Sequence, residues 1–336
     1  MKCTIVIHGG AGVISKETDP NPYYDALKRI ISTSYQFAVE LDGKCSPVDV
    51  VEFAVKLLED EPLFNAGRGA VLTADGTHEL EASIMDGVTL KCGAVSKVNN
   101  VKNPVSLARA VMERTKHNYL VGDDVLNKLA DEAQLDKVDS SYFTTERRVQ
   151  QLQMAIQQAG IFLDHSLHIA SDQSHHLNSL DTSENSSSVF EDQPGGTGTV
   201  GCVCMLNGQV AAATSTGGLT NKLSGRIGDT PITGAGNYAH HLTGAFSGTG
   251  TGEDFMRHVA THDAHCRMLY GGSTLHEAVQ QTVFNVLPND CGGIIAVDSS
   301  GAYTMPFNTL GMFRAVATSQ VHQQVGILEE LMSIIP

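Results

Sequence analysis

The residues best able to do chemistry crowd into one stretch, 198–253. It holds Gly198-Thr199-Val200-Gly201, Thr214-Ser215-Thr216-Gly217-Gly218, Gly225-Arg226-Ile227-Gly228-Asp229 and Thr249-Gly250-Thr251-Gly252-Glu253. Threonine hydroxyls serve as nucleophiles or donors, and glycines leave backbone N–H groups open to a developing oxyanion. Arg226 offers a planar fork suited to a carboxylate, and Asp229, three residues on, can accept from an ammonium. Held together, the two suit a zwitterion such as an α-amino acid. On composition alone the pair reads more simply as a surface ion pair among Thr-rich strands and turns.

Other catalytic signatures are missing. The chain has no G-x-S-x-G elbow, no P-loop, no HExxH and no G-x-G-x-x-G opening a helix. His8-Gly9-Gly10 has the look of an esterase oxyanion loop, but without a serine elbow a tight turn after a strand is the plainer reading. His258, His262 and His265 fall at i, i+4 and i+7, a spacing that would share one helical face and could hold a metal. No carboxylate or cysteine partner stands out, so they read as a solvated polar face.

The elements that must position these residues are mixed α and β. Residues 4–7 are a short β-branched run feeding the glycines of 8–12, which reads as a buried strand and a glycine loop. A helix is predicted over 22–41. Ser46-Pro47 supplies an N-cap and an N1 proline for the next, which carries Val48, Val51, Val55 and Leu58 on one face and stops near Pro62. Further helices are predicted near 104–115, 144–160, 253–269 and 274–287, the last opening on Thr274 and Glu277 as a capping box. Strands are predicted at 200–205, 210–214 and 294–297. The pattern places strands at the two ends and beyond 198, with helices between them. Residues 171–194 are rich in Ser, Asn, Asp and His without apolar periodicity, and so read as a mobile linker running straight into the strand after Thr199.

Composition narrows the function. The 336 residues suffice for one large domain or two smaller ones with a core that needs no staples. A net charge of −15, from 22 Lys and Arg against 37 Asp and Glu, argues against nucleic acid and anionic membranes as partners. No apolar run reaches the ~18 residues of a membrane span, and the opening residues are too short for a signal h-region. Seven scattered cysteines without a CxxC pair read as buried thiols in a reducing cytosol. Thirty-three glycines imply many tight turns and close backbone approaches.

The order of these blocks resembles the plant-type (type III) asparaginases and isoaspartyl peptidases of the N-terminal-nucleophile hydrolase superfamily. The likeness runs through HGGAG (8–12), LFNAGRGAVLT (63–73), ELEASIMDG (79–87), GTVG (198–201), ATSTGGLTNKLSGRIGD (213–229), TGTGE (249–253) and PFNTLGMFRA (306–315). The chain departs from the pattern in the linker 171–198 and at Arg68, where an apolar residue is more usual. Neither touches the chemistry.

The resemblance implies an α+β fold, a four-layer αββα sandwich, in one domain spanning 1–336. It implies a precursor that cuts itself between Gly198 and Thr199 into an α subunit (1–198, with 171–198 a flexible linker) and a β subunit (199–336), paired as (αβ)2. Thr199 becomes the N-terminal nucleophile, and its own amine the base. Thr216 orients the Thr199 hydroxyl, Thr249 and Gly250 form the oxyanion hole, and Asn65 supports the site. Arg226 holds the substrate α-carboxylate, while Asp229 and the Gly252 carbonyl hold the α-ammonium, in a binding region covering 226–229 (with Ile227 and Gly228) and 249–252 (with Thr251). Backbone carbonyls of Leu58, Glu59, Glu61, Phe64, Ala66 and Arg68 would ligate a structural sodium ion, with no cofactor for catalysis. The implied activity is a cytoplasmic amidohydrolase releasing L-aspartate from L-asparagine and β-aspartyl dipeptides. Glycosylasparaginase is the alternative within the superfamily, disfavoured by Gly217 where that branch places Asn. Threonine aspartase needs a longer chain. An uncleaved amino-acid-binding protein that keeps the Arg/Asp pair is the alternative of another class.

Overall fold

The computed structural model describes residues 1–12, 14, 19–41, 44–158, 161–163, 166–169, 198–319, 323–328 and 331–333. Apart from Gly198, the expected linker 171–198 lies outside these residues. The chain opens with β1 (Cys3–Gly12), α1 (Asn21–Glu40), α2 (Pro47–Glu59), β2 (Leu80–Asp86), β3 (Cys92–Val98) and α3 (Pro104–Arg114). It continues with β4 (Tyr119–Val121), α4 (Asp123–Glu132), α5 (Glu146–Gln157), β5 (Ile161–Leu163) and β6 (Ser166–Ile169). After Thr199 come β7 (Val200–Leu206), β8 (Gln209–Thr216), β9 (Asn237–His240), β10 (Gly244–Gly250), α6 (Gly252–His258), α7 (Ala260–Leu269) and α8 (Leu275–Gln281). The last strands are β11 (Gly292–Val297), β12 (Tyr303–Thr304), β13 (Gly311–Thr318), β14 (Gln323–Gly326) and β15 (Leu331–Ser333).

Nine strands form one sheet in the order β15-β14-β13-β1-β7-β8-β2-β3-β4, antiparallel except for β3 with β4, and four form a second in the order β12-β11-β10-β9. Alternate side chains of a strand point to opposite faces, and the large sheet is covered on both. Ile5, Ile7, Cys202, Cys204 and Ala213 pack with Ile30, Val51, Val55, Leu58 and Val111 of α1–α3. Their neighbours Val6, Val203, Met205 and Ala212 pack with Ala245, Ile295 and Val297 of the small sheet. Phe246, Ile294 and Ala296, on the small sheet's other face, pack with Phe255, Ala264, Leu275 and Val279 of α6–α8. Burial on two faces explains why β1 and β7 read as apolar runs and not as alternation.

Local signals set the helix starts. The Ser46 hydroxyl accepts from the Asp49 N–H at 3.3 Å while the Asp49 carboxylate accepts from the Ser46 N–H at 2.7 Å, with Pro47 in the first turn. Such a cap contributes about 0.5–2 kcal/mol. Thr274 and Glu277 form the predicted capping box of α8. Val48, Val51, Val55 and Leu58 are all buried.

Several predicted boundaries are corrected by non-local packing. β1 does not stop at Ile7 but runs through the glycines to Gly12, because β13 pairs with it that far, with a register shift between His8 and Gly10, while β7 pairs with it as far as His8. Glycine is needed there: a Cβ on Gly9 would sit 2.4 Å from the Phe64 ring. The single helix predicted over 253–269 is two, broken at Val259, whose backbone is left-handed at φ +48°. The helix from 274 ends at Gln281 and continues as a π-helical turn over Thr282–Val286. Strands are not confined to the ends and the region beyond 198, since β2 and β3 lie between α2 and α3 in sequence and pair beside β8. In β2 Leu80, Ala82 and Ile84 face the helices, and the intervening Glu81 and Ser83 are buried and polar, which disguises the strand.

Candidate active site

Thr199 precedes β7 by one residue and Thr216 ends β8. Val200 pairs with Ser215, so antiparallel register brings the two hydroxyls together. Thr199 Oγ1 donates to Thr216 Oγ1 at 3.1 Å, and Thr216 Oγ1 also accepts the Gly218 N–H at 3.0 Å. Asn65 fixes the turn that follows: its Nδ2 donates to the Gly218 carbonyl at 2.8 Å, its Oδ1 accepts the Val71 N–H at 3.0 Å, and its carbonyl accepts the Gly217 N–H at 3.0 Å. Thr249, at the end of β10, is fully buried and accepts the Ala11 N–H on Oγ1 at 3.3 Å.

His8, taken from sequence as part of a turn, stands directly behind Thr199. Its Nδ1 lies 2.9 Å from the Thr199 carbonyl oxygen and its Nε2 2.9 Å from Ser247 Oγ. A carbonyl only accepts, so Nδ1 carries the proton and Nε2 accepts from Ser247. Ser247 Oγ then accepts from Thr214 Oγ1 at 2.8 Å, and Thr214 Oγ1 accepts from Asn237 Nδ2 at 3.3 Å. Burial holds the ring neutral, lowering its pKa to about 3 against the opposing pull of the Thr199 carbonyl.

The charged end of the site is the loop after β8. Arg226 forms a two-point bond with Glu253, Nε to Oε1 and Nη2 to Oε2, each 3.0 Å. Asp229 is 4% exposed, so the surface ion pair suggested by composition is corrected: the acid lies inside and Arg226 pairs with Glu253. Burial raises the Asp229 pKa to about 7, opposed by the nearby Arg226 and reinforced by Glu81 and Glu253. Asp229 Oδ2 is buried and has no hydrogen-bond partner among the described residues.

One pocket joins the two ends. Gly198, Thr199, Thr216, Gly218, Leu219, Arg226, Gly228, Asp229, Gly250 and Gly252 line it. Of the predicted site residues, Asn65, Thr249, Ile227 and Thr251 are not among its lining. Glycine is required at two wall positions. A Cβ on Gly250, whose φ is +149°, would fall 2.1 Å from the Cys291 carbonyl, and one on Gly252 would fall 2.9 Å from both Arg226 Nη2 and Asp229 Oδ1.

The predicted cation loop, 58–68, closes on itself through the Arg68 N–H to the Glu59 carbonyl at 2.7 Å. The Leu58 and Glu61 carbonyls accept from the Glu61 and Phe64 N–H groups at 3.3 and 3.2 Å. An amide oxygen has a second lone pair, so this neutral oxygen set remains chemically suited to a hard monovalent cation. The Glu59 side chain, which sequence reasoning passed over, is fully buried: Oε1 accepts from the Val105 N–H at 3.0 Å and the Ser215 hydroxyl at 2.6 Å. Burial pushes its pKa up to about 8.

The three-histidine face is corrected. The break at Val259 separates His258 from the other two, and His265 is buried with Nδ1 2.7 Å from Thr243 Oγ1. Among the described residues no group of three His, Cys, Asp or Glu could hold a metal ion. No disulfide joins the seven cysteines, of which Cys45, Cys92 and Cys266 are only half-buried, a correction to the expected buried set. No helix among the described residues is long and apolar enough to cross a membrane. The side chains missed were those of His8, Glu59, Glu79, Glu81, Lys222, Ser247 and Glu253. Five of them sit inside the quoted motif blocks, so the blocks were the available signal, but nothing local to the sequence says which of their side chains turn inward.

The model of the family described as asparaginase matches residues 1–327. The chain is similar to the isoaspartyl peptidase of Escherichia coli (strain K12), at 42% identity covering 98% of this chain and 97% of that one. It is similar to the isoaspartyl peptidase/L-asparaginase of Xenopus laevis at 38% identity, covering 96% and 94% of the two chains. It is likewise 38% identical to the plant-type L-asparaginase of Pyrococcus furiosus, covering 92% and 94%. A family match over residues 1–327, with relatives of this identity along nearly the whole chain, makes this chain a member of the asparaginase family.

Proposed function

We propose that the protein is an amidohydrolase that cuts the side-chain amide of L-asparagine and the isopeptide bond of β-aspartyl dipeptides, releasing L-aspartate. The observation that carries this reading is one pocket lined both by the Gly198–Thr199 junction and by Arg226 and Asp229. Arg226 takes the α-carboxylate in exchange for Glu253, and Asp229 with the Gly252 carbonyl takes the α-ammonium. Thr199 Oγ attacks the side-chain carbonyl. Thr249 Oγ1, whose proton is left free by its accepting role toward Ala11, and the Gly250 N–H receive the oxyanion. The amine leaves, and water resolves the β-aspartyl ester. Thr216 and Asn65 hold Thr199 in place.

An internal threonine has an amide nitrogen and no base. Its attack on the Gly198 carbonyl, giving an ester that water hydrolyses, frees an α-amine with a pKa of roughly 7.7–8.0 that serves as the base. Residues 1–198 and 199–336 then remain associated, since β7 and β8 pair with β1 and β2 in one sheet. Three interlocked cores favour the four-layer αββα sandwich of one N-terminal-nucleophile domain. The carbonyl loop 58–68 fits a structural sodium ion, with none in the chemistry. A dimer of cleaved αβ units and a cytoplasmic setting complete the proposal, the latter supported by cysteines outside any disulfide.

The test is wild type beside Thr199→Ala on a denaturing gel, with N-terminal sequencing of the smaller band and an assay of ammonia release from L-asparagine. Two wild-type bands, the smaller starting at Thr199, and one inactive band for the variant are expected. A wild type that stays one chain yet hydrolyses asparagine would overturn the mechanism. One that stays single and inert while still binding L-aspartate would favour the amino-acid-binding alternative.

A further inference from the structure

Glu81 of β2, on the face opposite Leu80, Ala82 and Ile84, and Glu79, the residue before the strand, both reach the loop that bears the charged end of the pocket. Glu79 Oε2 accepts the Gly225 N–H at 2.7 Å, its Oε1 accepts from Ser224 Oγ at 2.7 Å, and Lys97 Nζ lies 3.2 Å away. Glu81 Oε2 accepts the Gly228 N–H at 3.1 Å. Gly225 and Gly228 bracket Arg226, and Gly228 immediately precedes Asp229. The start of β2 and the residue before it therefore fasten the loop on either side of the arginine fork.

Glu81 is aimed by a buried partner. Its Oε1 lies 3.5 Å from Lys222 Nζ, and the two side chains are only 2% and 1% exposed. Lys222 Nζ also donates to the Glu79 carbonyl at 2.8 Å, and the Lys222 carbonyl accepts the Ala74 N–H at 2.8 Å. The ammonium passes under the wall of the pocket: a Cβ on Gly218 would lie 2.7 Å from it. Burying two charges is costly, and such a pair adds little stability over an apolar one of equal size. Its use here lies in geometry, because one oxygen of Glu81 meets Lys222 and the other is committed to the backbone between Arg226 and Asp229.

We propose that Glu81, held by Lys222, is a positioning residue that sets the separation of Arg226 and Asp229, and so selects a ligand with an α-carboxylate and an α-ammonium on one L-configured carbon. This rests on the amino-acid reading of the pocket given above. Two clamp points and the reacting amide define the chirality of the ligand's α-carbon. Slack between the clamp points weakens binding and blurs the distinction between enantiomers.

The experiment compares wild type with Glu81→Ala, Glu81→Gln and Lys222→Met, with rates counted per cleaved chain and folding checked by circular dichroism. The readouts are kcat and KM on L-asparagine and the inhibition constants of L- and D-aspartate. Glu81→Ala is expected to raise KM about tenfold or more with kcat within about threefold, the pattern of lost uniform binding. It is also expected to compress the L-to-D ratio of inhibition constants. Glu81→Gln, which still accepts the Gly228 N–H, is expected to fall between Glu81→Ala and wild type. Should Glu81→Ala fail to fold, the same split in Glu81→Gln or Lys222→Met supports the proposal. Unchanged KM and enantiomer ratio, a fall in kcat alone, or failure of all three variants to fold would overturn it. A wild type inert toward L-asparagine and indifferent to L-aspartate would instead defeat the underlying reading, and this one with it.

Discussion

Around Thr199 the hydrogen-bonding groups are neutral: Thr216, Asn65, the neutral imidazole of His8, Ser247 and Thr249. Around Asp229 they are ions: Arg226 with Glu253, and Glu81 with Lys222. The neutral end is built on strands whose register alone brings the hydroxyls together, and it needs no counter-charge. The charged end lies on a loop, and each charge brought inside requires a partner. That division separates two kinds of effect. Damage to the neutral end alters how charge is received as the reaction proceeds, while damage to the charged end alters how firmly a ligand is held.

The sharpest test of the contrast is at the neutral end. Thr249→Val is expected to lower kcat by about 10²–10³ while leaving KM nearly unchanged, as for other lost oxyanion donors. Steady-state kinetics on L-asparagine check it, and a change confined to KM would place Thr249 with the charged end. Arg226→Lys keeps the charge and loses the fork, so KM for asparagine and β-aspartyl dipeptides is expected to rise about tenfold or more, with kcat largely kept. Wild-type kcat/KM in that variant would remove Arg226 from the clamp.

The charged end also predicts a pH dependence. Burial places the Asp229 pKa at about 7, and an ammonium is accepted by the ionised form. Inhibition by L-aspartate is therefore expected to weaken as pH falls below about 7, approaching tenfold per pH unit, and Asp229→Asn is expected to lose this dependence. A flat profile in wild type between pH 5 and 7.5, a window spanning about 2.5 units, would contradict the raised value.

The smallest effect lies behind the neutral end, at Glu59. Its folded pKa of about 8 is above its usual value of 4.5, so the folded state keeps a proton that the unfolded chain gives up. Its contribution to stability is complete below the unfolded pKa and is lost as pH rises through the folded one. Glu59→Gln removes that loss, so its melting temperature is expected to fall by a few degrees less than that of wild type between pH 6 and pH 9. Parallel declines would show Glu59 ionised throughout.

Helix starts were legible because they are local: Ser46-Pro47 and Thr274 with Glu277 satisfy backbone groups within four residues of themselves. The threonine and glycine clusters were legible for a similar reason, since few other residue types supply a hydroxyl or an open backbone. The end of β1, the strand β2 and the break at Val259 were not, because pairing partners and packing decide them. Glu81 and Ser83 made β2 look unlike a strand by filling inward positions with polar groups, and Gly9 hid the continuation of β1 behind a residue usually found in turns.

By itself the sequence supplied residues that line the pocket, Thr199, Thr216, Arg226 and Asp229, with the glycines that let a backbone approach them. The tertiary structure decided which of these share a wall and what stands behind each. His8 reaches Thr199 across 191 positions, Ser215 reaches Glu59 across 156, and Gly228 reaches Glu81 across 147. A hydrogen bond is specified by a few tenths of an ångström and by direction. Spacing along a chain carries no such information until the sheet register has fixed where each strand ends.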